Sequence, residues 1–263
     1  MRIPVVQTIK RLLAHPGTKS LKVDDPRTTL KRHEIISSNR FLWRIYDEWY
    51  RLICTCVPDG PGSVLELGSG AGFLAKYIPD LVRSEVFFLP YVELVSDARH
   101  LPLAASSLKA IVMVNVLHHV SDIRAFLAEA QRCVRPGGSI AMIEPWVSLW
   151  SRLIYSRLHH EPFDPEAWEW SVSGSGPLSA ANGALPWIIF ERDLHYFESE
   201  FKSLEIHVIQ PLMPFRYLVS GGISMRQLMP EFMFAAWRKI DSFLLRWPRS
   251  WSMFALIHLR RVQ

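Results

Sequence analysis

Three glycines alternate with small residues in the stretch 64–78, where Gly68, Gly70 and Gly72 follow a leucine-rich and β-branched run that contains Glu66. Glycine is favoured where the backbone turns with positive φ or where a ligand approaches the main chain closely. A strand that turns through such a loop into a helix presents free N–H groups and the positive end of a helix dipole. The spacing therefore predicts a nucleotide-like ligand at the carboxyl edge of a parallel sheet.

Two common nucleotide loops fit this stretch poorly. The dinucleotide fingerprint G-x-G-x-x-G needs a third glycine where this chain has Phe73. The Walker loop needs Gly-Lys-Ser/Thr, which is absent from the sequence. A phosphate ligand is therefore disfavoured, and a nicotinamide oxidoreductase is kept only as an alternative.

The pattern that is present, ELGSGAG at 66–72, resembles motif I of the class I S-adenosylmethionine-dependent methyltransferases. The segment 94–122, which contains SDARHLP and VLHH, is similar to the acidic and Leu-His-His block of that family, although Leu103 stands where Phe is usual. The segment 132–145, RCVRPGGSIAMIEP, resembles the turn into the family's fifth strand. These motifs occur in the family's order and cover about residues 63–145.

The resemblance implies S-adenosylmethionine as the cofactor. In the family the glycine loop approaches the methionine part, and the acid before it orients the amino end. An acid at the end of the second strand grips the ribose hydroxyls; Glu85 fits that position by order and distance, with Glu93 as the alternative. A later acid, here Asp97, accepts from the adenine amino group. The predicted cofactor-binding residues are Tyr46, Glu66, Leu67, Gly68, Ser69, Gly70, Gly72, Glu85, Asp97, Ala98, Asn115 and Val116.

Tyr46 is included because it shares one face of a predicted N-terminal helix with Trp49 and Tyr50. In many class I enzymes such a helix closes over the cofactor, so Tyr46 or Tyr50 is a candidate lid residue. The alternative is an ordinary packed aromatic stripe.

Methyl transfer from a sulfonium is an in-line displacement that requires alignment, exclusion of water and, for a weakly acidic acceptor, removal of a proton. His118 and His119 follow the predicted fourth strand and are candidate catalytic bases, because histidine titrates near neutrality. A structural role is the alternative for both. Glu144 ends the fifth strand and is a candidate for contacting the acceptor or for capping the following segment.

No metal site is predicted. Cys54 and Cys56 lack the two-residue spacing of a zinc knuckle, and the sequence has only one further cysteine, so all three are interpreted as reduced thiols of a cytoplasmic protein. The segment 159–164, HHEPFD, offers His159, His160, Glu161 and Asp164, but adjacent histidines rarely chelate one ion.

Alternating strand and helix patterns predict an α/β fold: a Rossmann-like, seven-stranded, mostly parallel sheet with helices on both faces, an N-terminal helical arm and lid insertions. The predicted organisation is an arm and helix over 1–62 and a methyltransferase domain over 63–263, with insertions at about 146–201 and 211–230. Strands are predicted at 63–68, 81–85, 92–95, 109–115, 139–145, 204–210 and 252–261, and helices at 31–56, 72–79, 121–134 (N-cap Ser121) and 231–247.

Composition limits the partners. Of 263 residues 49% are apolar, and the net charge of +5 is scattered, so a folded domain is expected and nucleic-acid binding is not. No apolar run reaches about 18 residues, and the N-terminus lacks a signal-peptide pattern, so a cytoplasmic location is predicted. Basic residues beside Trp237 and Trp247 resemble an interfacial helix, which predicts a peripheral membrane contact as one alternative.

Ten tryptophans occur, and five of them fall in the first predicted insertion or at its edges. They are expected either to form the wall of an apolar acceptor pocket or to build a tryptophan-rich core. The five are Trp146, Trp150, Trp168, Trp170 and Trp187.

The predicted function is methyl transfer from S-adenosylmethionine to a small, apolar or lipid-linked acceptor, with O- or C-methylation favoured. A non-catalytic protein of the same fold that binds the cofactor is the alternative. The acceptor itself and the oligomeric state are left open, because 1–62 and 146–263 match no substrate-specificity pattern.

Overall fold

One seven-stranded sheet organises the chain, with strand order β3-β2-β1-β4-β5-β7-β6. The computed structural model describes residues 14–15, 23–159, 161–172, 174 and 176–263. Neighbours among β1 to β5 pair in parallel, whereas β7 lies antiparallel between β5 and β6. The predicted mostly parallel sheet is therefore confirmed. The strands are β1 Ser63–Leu67, β2 Leu81–Glu85, β3 Leu94–Val95, β4 Leu108–Val114, β5 Val134–Pro145, β6 Leu204–Leu212 and β7 Phe254–Arg261.

Helices surround this sheet and connect its strands. Short 3-10 turns add Phe73–Lys76, Leu117–His119 and Glu231–Met233, and a π-helical turn covers Ile188–Arg192. The α-helices are α1 Pro26–Ser38, α2 Arg40–Cys56, α3 Ile123–Cys133, α4 Leu149–Arg157, α5 Leu185–Trp187, α6 Leu194–Glu200, α7 Arg216–Ser220, α8 Phe234–Leu244 and α9 Pro248–Trp251.

Both faces of the sheet are covered, as the continuous apolar strands predict. Side chains alternate across β4, so Ile111 and Met113 lie in one core cluster with α3 and α5, while Ala110 and Val112 lie in the other with α2. The carboxyl ends of β1, β2, β4 and β5 therefore lie at one edge of the sheet, between the two core clusters.

The structure corrects three predicted helices. The predicted helix 72–79 is only the 3-10 turn Phe73–Lys76. A helix of two turns forms too few hydrogen bonds to offset the free-energy cost of nucleation, and Pro79 cannot donate an intrahelical hydrogen bond. The helix predicted over 121–134 begins after Asp122, whose carboxylate rather than the Ser121 hydroxyl accepts from the Ala125 N–H. The region 31–56 is two helices that meet at Asn39, the N-cap of α2.

The first helix begins earlier than the sequence indicates. The helical pattern starts at residue 31, yet α1 begins at Pro26 with Asp25 as its N-cap. A proline in the first turn suits a helix start, because its missing N–H has no intrahelical partner there. Residues 1–13 and 16–22 lie outside the described residues.

The tryptophans of the first predicted insertion do not build a pocket. Trp146 and Trp170 are buried in the core cluster on the α3 side, and Trp187 packs against that cluster. Trp150 packs on the other cluster and donates its indole N–H to the Pro214 carbonyl. Trp168 is 92% exposed. The tryptophan-rich core is the correct alternative, and the predicted tryptophan-walled pocket is wrong.

A basic and apolar surface runs along α8. Phe232, Phe243 and Trp247 are more than half exposed, with Arg238 and Arg246 beside them. None of the helices in the described ranges has the length and apolar character needed to cross a bilayer. Peripheral membrane contact stays a prediction, which liposome co-sedimentation that is indifferent to anionic lipid would contradict.

Candidate active site

A cavity of about 580 Å³ opens at the carboxyl edge of the sheet. Its walls come from the turns after β1, β2, β4 and β5, from α1 and α2, and from segments of both predicted insertions. This is the position at which open α/β sheets bind their ligands. The volume lies within the range of roughly 300–1,000 Å³ that is common for small-molecule sites.

The glycine loop after β1 lies at the base of the cavity. Gly68 and Gly70 have φ of 60° and 51°, the left-handed region that glycine tolerates best. A Cβ on Gly68 would lie 2.5 Å from Cγ2 of Val116, so the turn after β4 leaves no room for a side chain. A Cβ on Gly70 would meet only the Gly68 carbonyl at 3.6 Å, so Gly70 leaves the backbone open to a ligand.

Gly72 corrects the predicted cofactor set. It has φ of 72° and is not among the residues that line the cavity. A Cβ there would lie 3.1 Å from the ring of Tyr91, whose hydroxyl donates to the Gly70 carbonyl. Gly72 therefore allows the loop to pack against Tyr91, on the side away from the cavity.

Ser69 fixes the loop to β2. Its N–H donates to the Ser84 carbonyl at 2.9 Å, and its hydroxyl accepts from the Ser84 N–H at 3.1 Å. Ser69 and Leu67 both border the cavity. Because the Ser69 hydroxyl already has backbone partners, its contribution to a ligand site is to hold the loop in place.

Glu66 brings a carboxylate into this apolar base. Its side chain is buried, and among the described residues its Oε2 has no hydrogen-bond partner. Burial, reinforced by the charge of Glu85, raises the pKa of Glu66 to about 8. An unpartnered buried acceptor costs free energy, so this atom is matched to a ligand that donates a proton or carries positive charge.

Glu85 ends β2 on the same wall. Its Oε1 accepts from the Gly70 N–H at 2.9 Å, and burial raises the pKa of its carboxyl. The alternative acid, Glu93, forms a bidentate ion pair with Arg83 and does not line the cavity. Glu85 thus lies at the cavity and Glu93 does not, and a contact of Glu85 with a ribose stays a prediction.

Asp97 and Ala98 border the cavity after β3. The Asp97 carboxylate accepts from the Arg99 N–H at 2.9 Å and pairs with its guanidinium, and these hydrogen bonds lower the pKa of Asp97. The carboxylate therefore remains charged and held in one orientation near neutral pH.

The turn after β4 is held by a single buried acid. Asn115 has φ of 57°, and Asn115 and Val116 both border the cavity. Oε1 of Glu144 accepts from the N–H groups of Val116 at 2.7 Å and Leu117 at 2.8 Å, while its Oε2 lies 2.6 Å from Nδ1 of His118. Glu144 has no exposed surface and does not line the cavity, which corrects the prediction that it contacts the acceptor.

The two predicted histidines have opposite electrostatics. Burial alone would lower the pKa of His118, but the charges of Glu144 and Glu161 and its hydrogen bonds to both raise it to about 9. Burial, together with the charge on His118, lowers the pKa of His119 to about 3. At neutral pH the side chain of His118 is therefore charged, and that of His119 keeps a free lone pair.

Part of the chain is similar to known proteins. A family model described as a methyltransferase domain matches residues 65–142. The chain is 46% identical over 111 residues to an uncharacterized 37.1 kDa protein in transposon TN4556 of Streptomyces fradiae. It is 32% identical over 117 residues to a probable S-adenosylmethionine-dependent methyltransferase of Mycolicibacterium smegmatis.

Residues 65–142 are therefore similar to a methyltransferase domain, and this match covers less than a third of the chain. The two matches cover 34% and 39% of this chain and 32% and 43% of the relatives, so the chain spans less than half the length of the curated relatives it matches. The crystal structure of geranyl diphosphate C-methyltransferase from Streptomyces coelicolor A3(2) covers 100% of both chains at 12% identity with a TM-score of 0.50, which shows a common fold.

The cavity also includes residues that the sequence motifs missed. Glu161 and Tyr155 come from the first predicted insertion, Tyr217 from the second and Arg32 from α1. Only Glu161 carried a signal, since it lies in the HHEPFD segment that offers metal ligands. The others belong to segments with no family pattern, so only the folded chain brings them to the cavity.

Tyr46 and Tyr50 reach the cavity from α2 and also belong to an aromatic cluster. The Tyr46 ring lies 5.3 Å from that of Trp49 and 5.8 Å from that of Tyr50. Burial raises the pKa of Tyr46 to about 12. The stripe is thus both core and cavity wall, and a lid role for either tyrosine stays a prediction.

The buried acid predicts a pH dependence of stability in the free protein. The pKa of Glu66 is about 8 when folded against a usual 4.5, so the folded state binds this proton more tightly. The stabilisation is complete below about pH 4.5 and is lost as pH rises through 8, on the order of 4 kcal/mol in total. Denaturant unfolding between pH 5 and 8 is expected to show a falling free energy that Glu66→Gln flattens. Identical pH profiles for both proteins would contradict this assignment.

Proposed function

We propose that this chain is an S-adenosylmethionine-dependent methyltransferase that acts on a small, apolar or lipid-linked acceptor. The observation that carries the proposal is the unpartnered, buried Oε2 of Glu66 beside the left-handed Gly68 and Gly70. A cofactor with an ammonium group gives this atom a charged donor, and the glycines leave space for the cofactor to approach the main chain. The motif order within the methyltransferase domain supports the same cofactor.

The residues present fit that cofactor along the whole edge of the sheet. Glu66 would hold its amino end, Glu85 its ribose hydroxyls and Asp97 its adenine amino group, while Ala98 and Val116 provide the apolar wall. When bound, S-adenosylmethionine supplies an activated methyl group on a sulfonium. The tasks left to the chain are to align the acceptor, exclude water and manage one proton.

The rest of the cavity supports an apolar acceptor. Ile36, Ile154, Leu158, Met253 and Phe254 line it. Tyr155 and Tyr217 add amphipathic rings, which suit a ligand with an apolar body and a polar end. This lining supports a small acceptor and offers no stacking platform or phosphate-binding stripe for a nucleic acid.

His119 is the better placed of the two histidines for taking a proton. Its Nδ1 lies 3.0 Å from the Ala180 carbonyl, so Nδ1 carries the hydrogen and Nε2 keeps a lone pair. His118 lies between Glu144 and Glu161 and already carries its proton near neutral pH. We therefore assign His118 a positioning role and His119 the contact with the acceptor, with O-methylation or C-methylation of an acidic carbon as the favoured reactions.

Transfer of a labelled methyl group tests the proposal. Purified full chain is incubated with methyl-labelled S-adenosylmethionine and small-molecule or lipid fractions of a cell extract. We expect label in an organic-extractable product with the wild type and much less with Gly68→Ala at the same, subsaturating cofactor concentration. Binding of S-adenosylhomocysteine without label transfer to any fraction would support the alternative of a non-catalytic cofactor-binding protein.

A further inference from the structure

His118, His119 and Glu161 converge on one point at the inner wall of the cavity. Their ligand atoms all lie within 4.8 Å of one another. Nε2 of His118 is 3.5 Å from Oε2 of Glu161, and Nε2 of His119 is 3.9 Å from Oε1 of the same carboxylate. Adjacent histidines rarely chelate one ion, but the 3-10 turn after β4 brings the rings of His118 and His119 to 4.2 Å between centroids, and the loop after α4 adds the acid.

A hydrogen bond at Nδ1 fixes the orientation of each imidazole ring. Nδ1 of His118 bonds to the Glu144 carboxylate at 2.6 Å, and Nδ1 of His119 bonds to the Ala180 carbonyl at 3.0 Å. These partners accept, so Nδ1 is the protonated nitrogen in each ring and Nε2 points toward Glu161. Metal-binding histidines typically have this arrangement, in which a carboxylate or carbonyl fixes the tautomer and the other nitrogen ligates.

Three potential ligand atoms face each other here. Nε2 of His119 lies 3.9 Å from Oε1 of Glu161, and the two side chains are only 12% and 14% exposed. A divalent cation would serve all three atoms and would balance the two carboxylates, Glu161 directly and Glu144 through the His118 ring.

We propose that His118, His119 and Glu161 bind one divalent first-row transition metal ion, of the Zn²⁺ or Fe²⁺ class. Two imidazole nitrogens and one carboxylate are a ligand set for such ions, whereas Mg²⁺ prefers oxygen ligands alone. Ligands about 2.1 Å from one ion are at most ~4.2 Å apart, so the three groups need only small side-chain movements to close on it. This replaces the sequence-based expectation that the chain has no metal site.

The unfilled coordination positions of the ion face the cavity, because all three ligands lie on its wall. An oxygen atom of a ligand in the cavity is the group that would take such a position. If the proposed methyl transfer holds, this oxygen belongs to the acceptor, and the bound ion, in place of the His119 lone pair, would favour loss of the acceptor's proton to solvent. Metal binding itself does not depend on the proposed function.

Titration of the metal alone tests the site. Zn²⁺ is added calorimetrically to chelator-treated full chain without cofactor, and Co²⁺ serves as a spectroscopic probe with visible d–d bands. One ion per chain is expected, with much weaker binding of Mg²⁺. His119→Ala and Glu161→Gln are each expected to weaken Zn²⁺ binding by at least about 100-fold. His195→Ala, at an exposed histidine of α6, is the matched control and is expected to bind as the wild type does.

Circular dichroism establishes whether each variant is folded. If His119→Ala does not fold, the near-isosteric Glu161→Gln alone tests the metal site. Equal Zn²⁺ affinity in the wild type and Glu161→Gln, or Co²⁺ without d–d bands beyond those of the aqueous ion, would overturn the site. S-adenosylhomocysteine binding by the wild type is measured separately, so failure of the metal site is distinguishable from failure of the proposed function.

Discussion

Gly68→Ala is expected to weaken S-adenosylhomocysteine binding by roughly 10-fold to 100-fold. The added Cβ would lie 2.5 Å from Cγ2 of Val116, and the residue holds φ of 60°. Overpacking of this kind costs about 1–3 kcal/mol, and each ~1.4 kcal/mol is a factor of ten in affinity. The glycine loop and Val116 both border the cavity, so a shift of either one to relieve the clash changes the proposed cofactor site. Calorimetric titration measures the loss.

Gly137→Ala separates the clash from backbone strain. Gly137 has φ of 75°, but a Cβ there meets nothing within 4 Å. This control is expected to lose about 1–2 kcal/mol of stability from the left-handed conformation and to bind the ligand normally. Val116→Ala removes both γ-methyl groups and is expected to restore part of the affinity lost in Gly68→Ala. Normal binding by Gly68→Ala alone would show that the loop does not form the site.

Glu144→Ala is expected to give the largest loss of stability, about 3–5 kcal/mol. The substitution leaves the N–H groups of Val116 and Leu117 without their acceptor and removes one of the two carboxylates that the buried His118 contacts. Glu93→Ala is the matched control, because that acid pairs with Arg83 at the surface, where an ion pair contributes about 1 kcal/mol or less. Denaturant unfolding at pH 7 compares the two variants.

A second measurement tests whether Glu144 positions His118 or only stabilises the fold. Glu144→Gln keeps the shape of the side chain and removes its charge. The pKa of His118, raised to about 9 in part by that charge, is expected to fall in this variant. Histidine titration followed by NMR reports it. An unchanged His118 pKa, or equal stabilities for Glu144→Ala and Glu93→Ala, would rule out the anchoring role.

The proposed cofactor half of the cavity could be predicted from the sequence because its determinants are local. Consecutive residues form the turn after β1, and the acids after it follow in a fixed order along the chain. The motif could not show that Gly72 faces Tyr91 and not the cavity, since that contact spans 19 residues of sequence that form no regular helix. Nor could it show that Glu144 turns back to cap the end of β4.

The acceptor half could not be predicted for a different reason. Glu161 reaches the cavity from a loop, and Tyr155 and Tyr217 reach it from the short helices α4 and α7. The sequence predicts none of these segments, because their positions depend on tertiary packing. The tryptophans misled for the same reason: large aromatic rings favour either a core or a pocket. Core packing decided their place, with Trp146 and Trp170 beneath the insertion.

Titration of the wild-type chain with S-adenosylhomocysteine and, in parallel, with NAD⁺ tests the central claim most directly. The unpartnered Glu66 oxygen, the left-handed glycine loop and the acids Glu85 and Asp97 predict one S-adenosylhomocysteine per chain and no NAD⁺. Binding of NAD⁺ without S-adenosylhomocysteine, or of neither ligand, would contradict the assignment of this cavity.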